Sequence, residues 1–294
     1  MLPNFICPGV QKSATTTLYD ILKQHPDIYL PKKLKEPGFF HVEERYLKGI
    51  NWYEENYYSD VINEKVIGDM STGYIFEEKA LDRIIKDLGK DLKIIIILRN
   101  PVDRAYSHYL MNTRNGIESL SFREAIENEK RRIQLSNENK LNYSYFSRGL
   151  YAEQIKRILR YYDKKQILIV LFEEFVKNQD FILNNIYDFL EVERIKVINN
   201  IKSNAASKSR FELISKLIMY PSNLTRKIIR LIIPNSKIRK YVALKIYQIN
   251  QKRMEYSIDA NYRKLLSEKY KEDIKELEAI LNIDLGKWLI YDKV

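Results

Sequence analysis

Apolar positions along this chain fall into short continuous runs separated by stretches with helical spacing. The runs at 4–7, 28–30, 66–70, 94–98 and 167–171 lack the strict alternation of a half-exposed strand. The longer ones read as strands buried on both faces, which is the mark of a parallel sheet. Residues 14–24 follow the first run as a helix, and 79–88, 102–113, 122–129 and 151–161 repeat apolar side chains at helical intervals. Strands alternating with helices predict an α/β fold, a P-loop-like central parallel sheet flanked by helices on both faces. The remainder is a helical C-terminal portion. Residues 181–190 read as a helix, and 211–253 as mostly helical, interrupted by Pro221 and Pro234. Residues 262–281 form a closing core helix with Leu265, Tyr270, Ile274, Leu277 and Leu281 on one face, and Trp288 follows to pack the terminus.

Length and composition support one domain over 1–294, with a basic, mostly helical insertion at about 211–253: the 294 residues are 45% hydrophobic, enough for a sizeable core. Lysine and arginine outnumber acids 50 to 39, a formal charge of +11, so anionic partners are favoured. Charge alone does not choose among nucleotides, acidic glycans, nucleic acid and anionic lipid. Cys7 is the single cysteine, which excludes an intrachain disulfide and a cysteine-rich zinc site and fits a reducing, cytoplasmic setting. No apolar run reaches the roughly 18 to 20 residues of a membrane span, and no signal-peptide pattern precedes the first strand.

The first strand runs into Gly9-Val10-Gln11-Lys12-Ser13-Ala14-Thr15-Thr16-Thr17-Leu18. A glycine lets the chain turn, and the helix that follows aims unpaired amides at the loop. Lys12 adds a mobile point charge, while Ser13, Thr15, Thr16 and Thr17 add hydroxyls that can bind an anion or cap the helix. Capping needs only one of them, and three adjacent β-branched residues are poor helix formers, so the set points to an anion site. A nucleoside-triphosphate loop has Gly directly before its Lys, whereas Gln11 precedes Lys12 here. Such proteins also hold magnesium with an acid at the end of a second apolar strand. Here that strand, 93–98, ends in Arg99, which repels magnesium and attracts another anion.

In Arg99-Asn100-Pro101, Asn100 is a plausible N-cap and Pro101 suits a first helical turn. Ser107 falls nearly two turns after Asn100, on one face with Asn100 and either Asp103 or Arg104. Arg99 and Ser107 could then hold one phosphate.

The first loop resembles the 5'-phosphosulfate loop of sulfotransferases that use 3'-phosphoadenosine-5'-phosphosulfate (PAPS). Leu98-Arg99-Asn100-Pro101-Val102-Asp103-Arg104-Ala105-Tyr106-Ser107-His108-Tyr109 is similar to the 3'-phosphate motif of the same family. The likeness continues through Lys35-Glu36-Pro37-Gly38-Phe39-Phe40, Arg148-Gly149-Leu150-Tyr151 and Asp284-Leu285-Gly286-Lys287-Trp288, and spans nearly the whole chain except 211–253. It implies that PAPS is the co-substrate, that Lys12 contacts the bridging and 5'-phosphate oxygens, and that Arg99 and Ser107 bind the 3'-phosphate. In the carbohydrate branch, Glu36 would be the base that takes the acceptor's proton. Read without the resemblance, Glu36 is a loop carboxylate paired with Lys35. The chain departs from the heparan sulfate enzymes at Gly38, where they often have His, and at Met70, where they often have Lys.

The resemblance also implies late nucleotide contacts from Tyr151 and from 204–210, with Lys208 and Arg210 closing over the 3'-phosphate; as a charge cluster alone that stretch is solvated surface. His25, His41 and His108 show no metal-ligand spacing, so no metal is expected. The expected activity is transfer of a sulfuryl group from PAPS to a hydroxyl or amine of a carbohydrate or glycolipid acceptor, releasing 3',5'-ADP. The alternative is a P-loop small-molecule kinase using Mg-ATP. A nucleic-acid binder would leave the ordered loops unexplained, and nucleic acid is not an expected partner. The basic segment 211–245 reads either as a helical hairpin packed on the domain or lining an acceptor groove, or as a peripheral contact with the inner face of an anionic membrane.

Overall fold

The computed structural model describes residues 1–196, 207–209, 214, 217–218, 221–253 and 257–290. Two compact units emerge. The first comprises Met1–Asn100, Leu150–Ser203 and Glu272–Lys287, and the second Pro101–Gly149, Asn204–Lys271 and Trp288–Val294.

The first unit carries five strands: β1 (Phe5–Gly9), β2 (Ile28–Tyr29), β3 (Val66–Asp69), β4 (Lys93–Leu98) and β5 (Ile167–Leu171). Their order is β2-β3-β1-β4-β5 and every pairing is parallel, as the unalternating apolar runs predict. Ile94, Ile95, Ile96 and Ile97 of β4 are all fully buried because both faces are covered. On one face, Phe5, Cys7, Ile95 and Ile97 share a core with Leu18 and Leu22 of the helix Thr15–Leu22 and with Leu183, Ile186 and Leu190 of the helix Gln179–Leu190. On the other, Ile6 and Ile94 meet Leu81 and Ile84 of the helix Glu78–Leu88 and Ile158 of the helix Tyr151–Leu159. β1 sits at the centre, where the chain departs in opposite directions toward β2 and β4. Open α/β sheets bind ligands outside the carboxyl ends of the strands at such a switch point. The loops after β1, β3 and β4 all leave from that edge.

The second unit holds the helix Pro101–Arg114, which begins on the expected proline. The expected helix at 122–129 is two helices, Phe122–Glu127 and Glu129–Ile133; the first is opened by a capping box between Ser121 and Glu124. The basic segment forms the helices Asn223–Ile232 and Ser236–Ile249, separated around Pro234. Its flanks pair as an unexpected antiparallel ribbon, Ser207–Ser209 with Gln251–Arg253, alongside the helix Pro101–Arg114. The closing helix runs Ala260–Leu281 and buries Tyr270, Ile274 and Leu277 as expected. Leu265 does not join them: it is 43% exposed, and Leu266, four residues before Tyr270, takes the buried place.

Candidate active site

The loop after β1 is held by its surroundings. Val10 N–H donates to the Ile97 carbonyl (3.1 Å), tying the loop to β4. A Cβ on Gly9 would lie 2.4 Å from Ile75 Cγ2, so only glycine allows this approach. Lys12 and Ala14 then adopt left-handed backbone, at φ 75° and 60°. Each such non-glycine residue costs about 1 kcal/mol or more, a strain that concentrates at functional loops. Loops that curl in this way point successive N–H groups into a concavity that suits an anion.

The helix after the loop starts at Thr15 and ends at Leu22, inside the expected 14–24, and its N-cap is Ala14, whose side chain makes no capping hydrogen bond. The capping alternative for Ser13 and the threonines is not realised at the N-cap, where Ala14 stands. Ser13 Oγ is fully buried and has no partner among the described residues, and Gln11 Oε1 is likewise buried without one. A buried hydroxyl left unpaired is costly unless a ligand satisfies it. These groups fit an anionic phosphosulfate seated in the loop. Thr15 is buried, Thr17 half-buried and Thr16 exposed at the first turn.

Arg99 follows β4 and binds this loop directly: its Nη1 donates to the Lys12 carbonyl at 2.8 Å, with the guanidinium 4.4 Å above the Phe172 ring. The two sequence motifs thus meet at one place, the adjacent ends of β1 and β4. Tyr151 is fully buried and its hydroxyl donates to the Arg99 carbonyl (3.0 Å), so it steadies Arg99's backbone. Tyr151 and Ala152 N–H groups are bound in turn by the Asp273 carboxylate at 2.7 and 3.1 Å. An open cavity of about 600 Å³ adjoins the loop, lined by Ala14, Thr17, Phe172, Phe175 and Phe181 among others. Nothing in the sequence spacing signalled the role of Phe172.

Glu36 lies across the same sheet edge. Its Oε2 accepts from Thr72 Oγ1 (2.9 Å) and Thr72 N–H (3.3 Å), and its Oε1 from Lys35 Nζ (3.0 Å). Thr72 lies three residues beyond the end of β3, so the turn that leaves the sheet there positions the carboxylate. Beneath it, Asp69 at the end of β3 is fully buried and accepts from Tyr53 and Tyr74 hydroxyls (2.6 Å each) and from Ser71 Oγ (2.5 Å). Ser71 Oγ accepts from Gly38 N–H (2.8 Å), pinning the loop that carries Glu36. Burial raises the Asp69 carboxyl above its ordinary value, although the three hydroxyls oppose the shift. Burial also pushes the Cys7 thiol up to about 12, so it stays protonated and unreactive at neutral pH.

In the second unit, Ser107 and Asp103 are half-buried on the helix Pro101–Arg114, while Arg104 is fully buried and donates to the Tyr145 carbonyl. Of the two alternatives for Ser107's face, Asp103 takes it, and it pairs with Arg263. Asn100 does not lie exposed: it is 7% accessible, and its N–H donates to Glu173 Oε1 at 3.0 Å. Lys208 sits in the ribbon strand opposite Lys252; Arg210 falls outside the described residues. The histidines are packed groups: His25 Nε2 is 2.7 Å from the Glu193 carbonyl, and His108 stacks edge-on to Tyr145. Among the described residues no group of three or more His, Cys, Asp or Glu is placed to hold a metal.

The model of the sulfotransferase domain matches residues 2–276. Mouse heparan sulfate glucosamine 3-O-sulfotransferase 3B1 is 30% identical over 194 residues, 66% of this chain and 47% of that protein. Human bifunctional heparan sulfate N-deacetylase/N-sulfotransferase 3 is 32% identical over 204 residues, covering 65% of this chain and 22% of that protein. The chain thus spans about half the length, or less, of these relatives. A crystal structure of a sulfotransferase from Alicyclobacillus acidocaldarius superposes with a TM-score of 0.70 at 28% identity, over 98% of this chain and 99% of the other. With the family's domain model spanning nearly its full length, and the loop after β1 clasped by the arginine that follows β4, the chain belongs to the sulfotransferase family.

Proposed function

We propose that this chain transfers a sulfuryl group from PAPS to a hydroxyl or amine of a carbohydrate-type acceptor and releases 3',5'-ADP. The observation that carries the reading is the clasp between Arg99 and the Lys12 carbonyl, 2.8 Å, which couples two anion-binding motifs at adjacent strand ends. In this reading the loop 9–17 holds the 5'-phosphosulfate, and Lys12 stabilises charge on the departing phosphate oxygen. Arg99 and Ser107 serve the 3'-phosphate, with Lys208 and Arg210 as later contacts, and Tyr151 acts by holding Arg99. Glu36 takes the acceptor's proton as its oxygen or nitrogen attacks sulfur in line and the S–O bond to the 5'-phosphate breaks. Proton, sulfuryl group and leaving phosphate are all accounted for without a covalent enzyme intermediate. The carbohydrate assignment draws on the names of the two heparan sulfate relatives, and the whole chain 1–294 is taken as one functional domain.

A kinase using Mg-ATP is disfavoured because β4 delivers a guanidinium, not a carboxylate, to the place where magnesium would bind. Calorimetry separates the two: 3',5'-ADP should bind tightly without metal, and a preference for Mg-ATP would sink the sulfotransferase reading.

A finer part of the proposal is peripheral contact with the inner face of an anionic membrane. No helix among the described residues is long and apolar enough to cross a bilayer. The helices Asn223–Ile232 and Ser236–Ile249, however, leave Leu224, Leu231, Ile232, Ile238 and Tyr241 more than half exposed. No acidic residue occurs between 221 and 250, while Arg226, Lys227, Arg230 and Lys237 lie among them. Exposed aliphatic groups beside unopposed positive charge suit an anionic lipid surface better than a sugar. Flotation with anionic liposomes should recover the chain and lose it when Leu231 and Ile232 become Ser; equal flotation of both would exclude the contact.

A further inference from the structure

We infer that Lys35 is a second catalytic cation, which binds the sulfuryl group during transfer and in doing so releases Glu36 to act. The inference rests on the reading of the chain as a PAPS-dependent sulfotransferase and concerns a residue to which that reading gives no task.

Lys35 Nζ donates to Thr16 Oγ1 at 2.8 Å and to Glu36 Oε1 at 3.0 Å. The ammonium therefore stands between the first turn of the helix that receives the phosphosulfate and the carboxylate that accepts the proton. Its side chain is only 21% exposed, less than the 38% of Glu36, so this is not a solvated surface pair.

The two oxygens of Glu36 are held differently. Oε2 is fixed by the hydroxyl and amide of Thr72, groups anchored to β3. Oε1 is held by Lys35 at the end of a flexible stem. An acceptor hydroxyl needs one lone pair of Glu36 to be open, and Oε1 is the oxygen whose partner can swing away. A sulfonate arriving beside Thr16 offers the ammonium three anionic oxygens in place of one carboxylate oxygen. Lysine suits this exchange because its charge is compact and its three donors turn freely. In the transfer itself Lys35 gives up no proton. It offsets negative charge on the sulfuryl oxygens while the bond from sulfur to the 5'-phosphate breaks and the bond to the acceptor forms, and Glu36 receives the proton.

The test uses the contrast between PAPS and 3',5'-ADP, which share every group except the sulfuryl. Lys35→Met keeps the stem and removes the charge, and Lys35→Arg keeps the charge. In the full-length chain, binding of both nucleotides is measured by calorimetry, and sulfate release from labelled PAPS to water gives a transfer rate that needs no identified acceptor. The expected result for Lys35→Met is 3',5'-ADP affinity within about twofold of the parent, PAPS affinity reduced about tenfold, and release slowed about 100-fold, the loss typical of one donor aimed at developing charge. Lys35→Arg should recover part of the rate. Equal losses for both nucleotides would reduce Lys35 to a support of the loop, and a rate within threefold of the parent would remove it from catalysis; either overturns the inference. Failure of the parent chain to bind either nucleotide would instead refute the sulfotransferase reading, so the two failures are distinguishable.

Discussion

The ends of β1 and β3 lie side by side on the sheet, and they treat their polar groups in opposite ways. After β1, the loop buries Ser13 Oγ and Gln11 Oε1 without partners and bends through left-handed Lys12 and Ala14. At the end of β3, Asp69 is buried just as fully, yet its carboxylate takes three hydroxyl donors, and Ser71 passes the link on to Gly38. A buried polar group with all its partners is scaffold, whereas one without them is waiting for a ligand. The first end leaves buried polar groups open, as the proposed anion site requires, and the second holds still the loop that carries Glu36.

Four substitutions probe that contrast. The largest expected effect is at the receiving end: Lys12→Ala should lower transfer by about 1,000-fold or more, since charge develops on the oxygen it faces, with an unchanged melting temperature. A variant that turns over at the parental rate would mean that the loop does not seat the reacting group. Next, Glu36→Gln should slow transfer about 100-fold and leave 3',5'-ADP affinity intact, as measured in single turnover and by calorimetry. Arg99→Ala should weaken 3',5'-ADP binding about 20-fold, with a smaller effect on the transfer step once PAPS saturates. Should its binding remain parental, the clasp on Lys12 would be purely structural.

The smallest effect belongs to the scaffold. Asp69→Asn should cost about 1 kcal/mol of stability, because an amide oxygen cannot serve all three hydroxyls. Its pH signature is the sharper test. Burial raises the Asp69 carboxyl, so the folded chain holds that proton more tightly than the unfolded chain does. The stability this group contributes is fullest at low pH and falls as pH rises from about 4 through the raised value. Denaturant melts across that window should show a fall in the parent that is absent in Asp69→Asn; identical profiles would show that Asp69 does not titrate there.

Much of this was legible from residue order. The unalternating runs foretold a parallel sheet, and the order of residues 4–24 foretold a strand, a turn at Gly9 and a helix, because these are contiguous in the chain. Arg99 was legible for the same reason, being the residue that β4 delivers. Where neighbours come from afar, the signal was missing. Lys35 meets Thr16 across 19 residues and Glu36 meets Thr72 across 36, and no periodicity links them. Glu36 alone was visible, as one loop carboxylate beside a lysine. The helix face at Leu265 and Leu266 was misjudged by one residue, which on a helix is a turn of about 100°.

The sequence by itself determined the fold class, the strand-loop-helix that begins the chain and the delivery of Arg99 at the end of β4, since each depends on local spacing and on apolar residues that can only be buried. The tertiary structure decided which polar groups are satisfied. Ser13 and Asp69 are simply two polar residues in the string of letters; the fold buries both, and only the packing of β3 brings Tyr53, Tyr74 and Ser71 onto one of them and leaves the other open. That distinction is a matter of partners within 3 Å, and partners are assigned by the folded sheet.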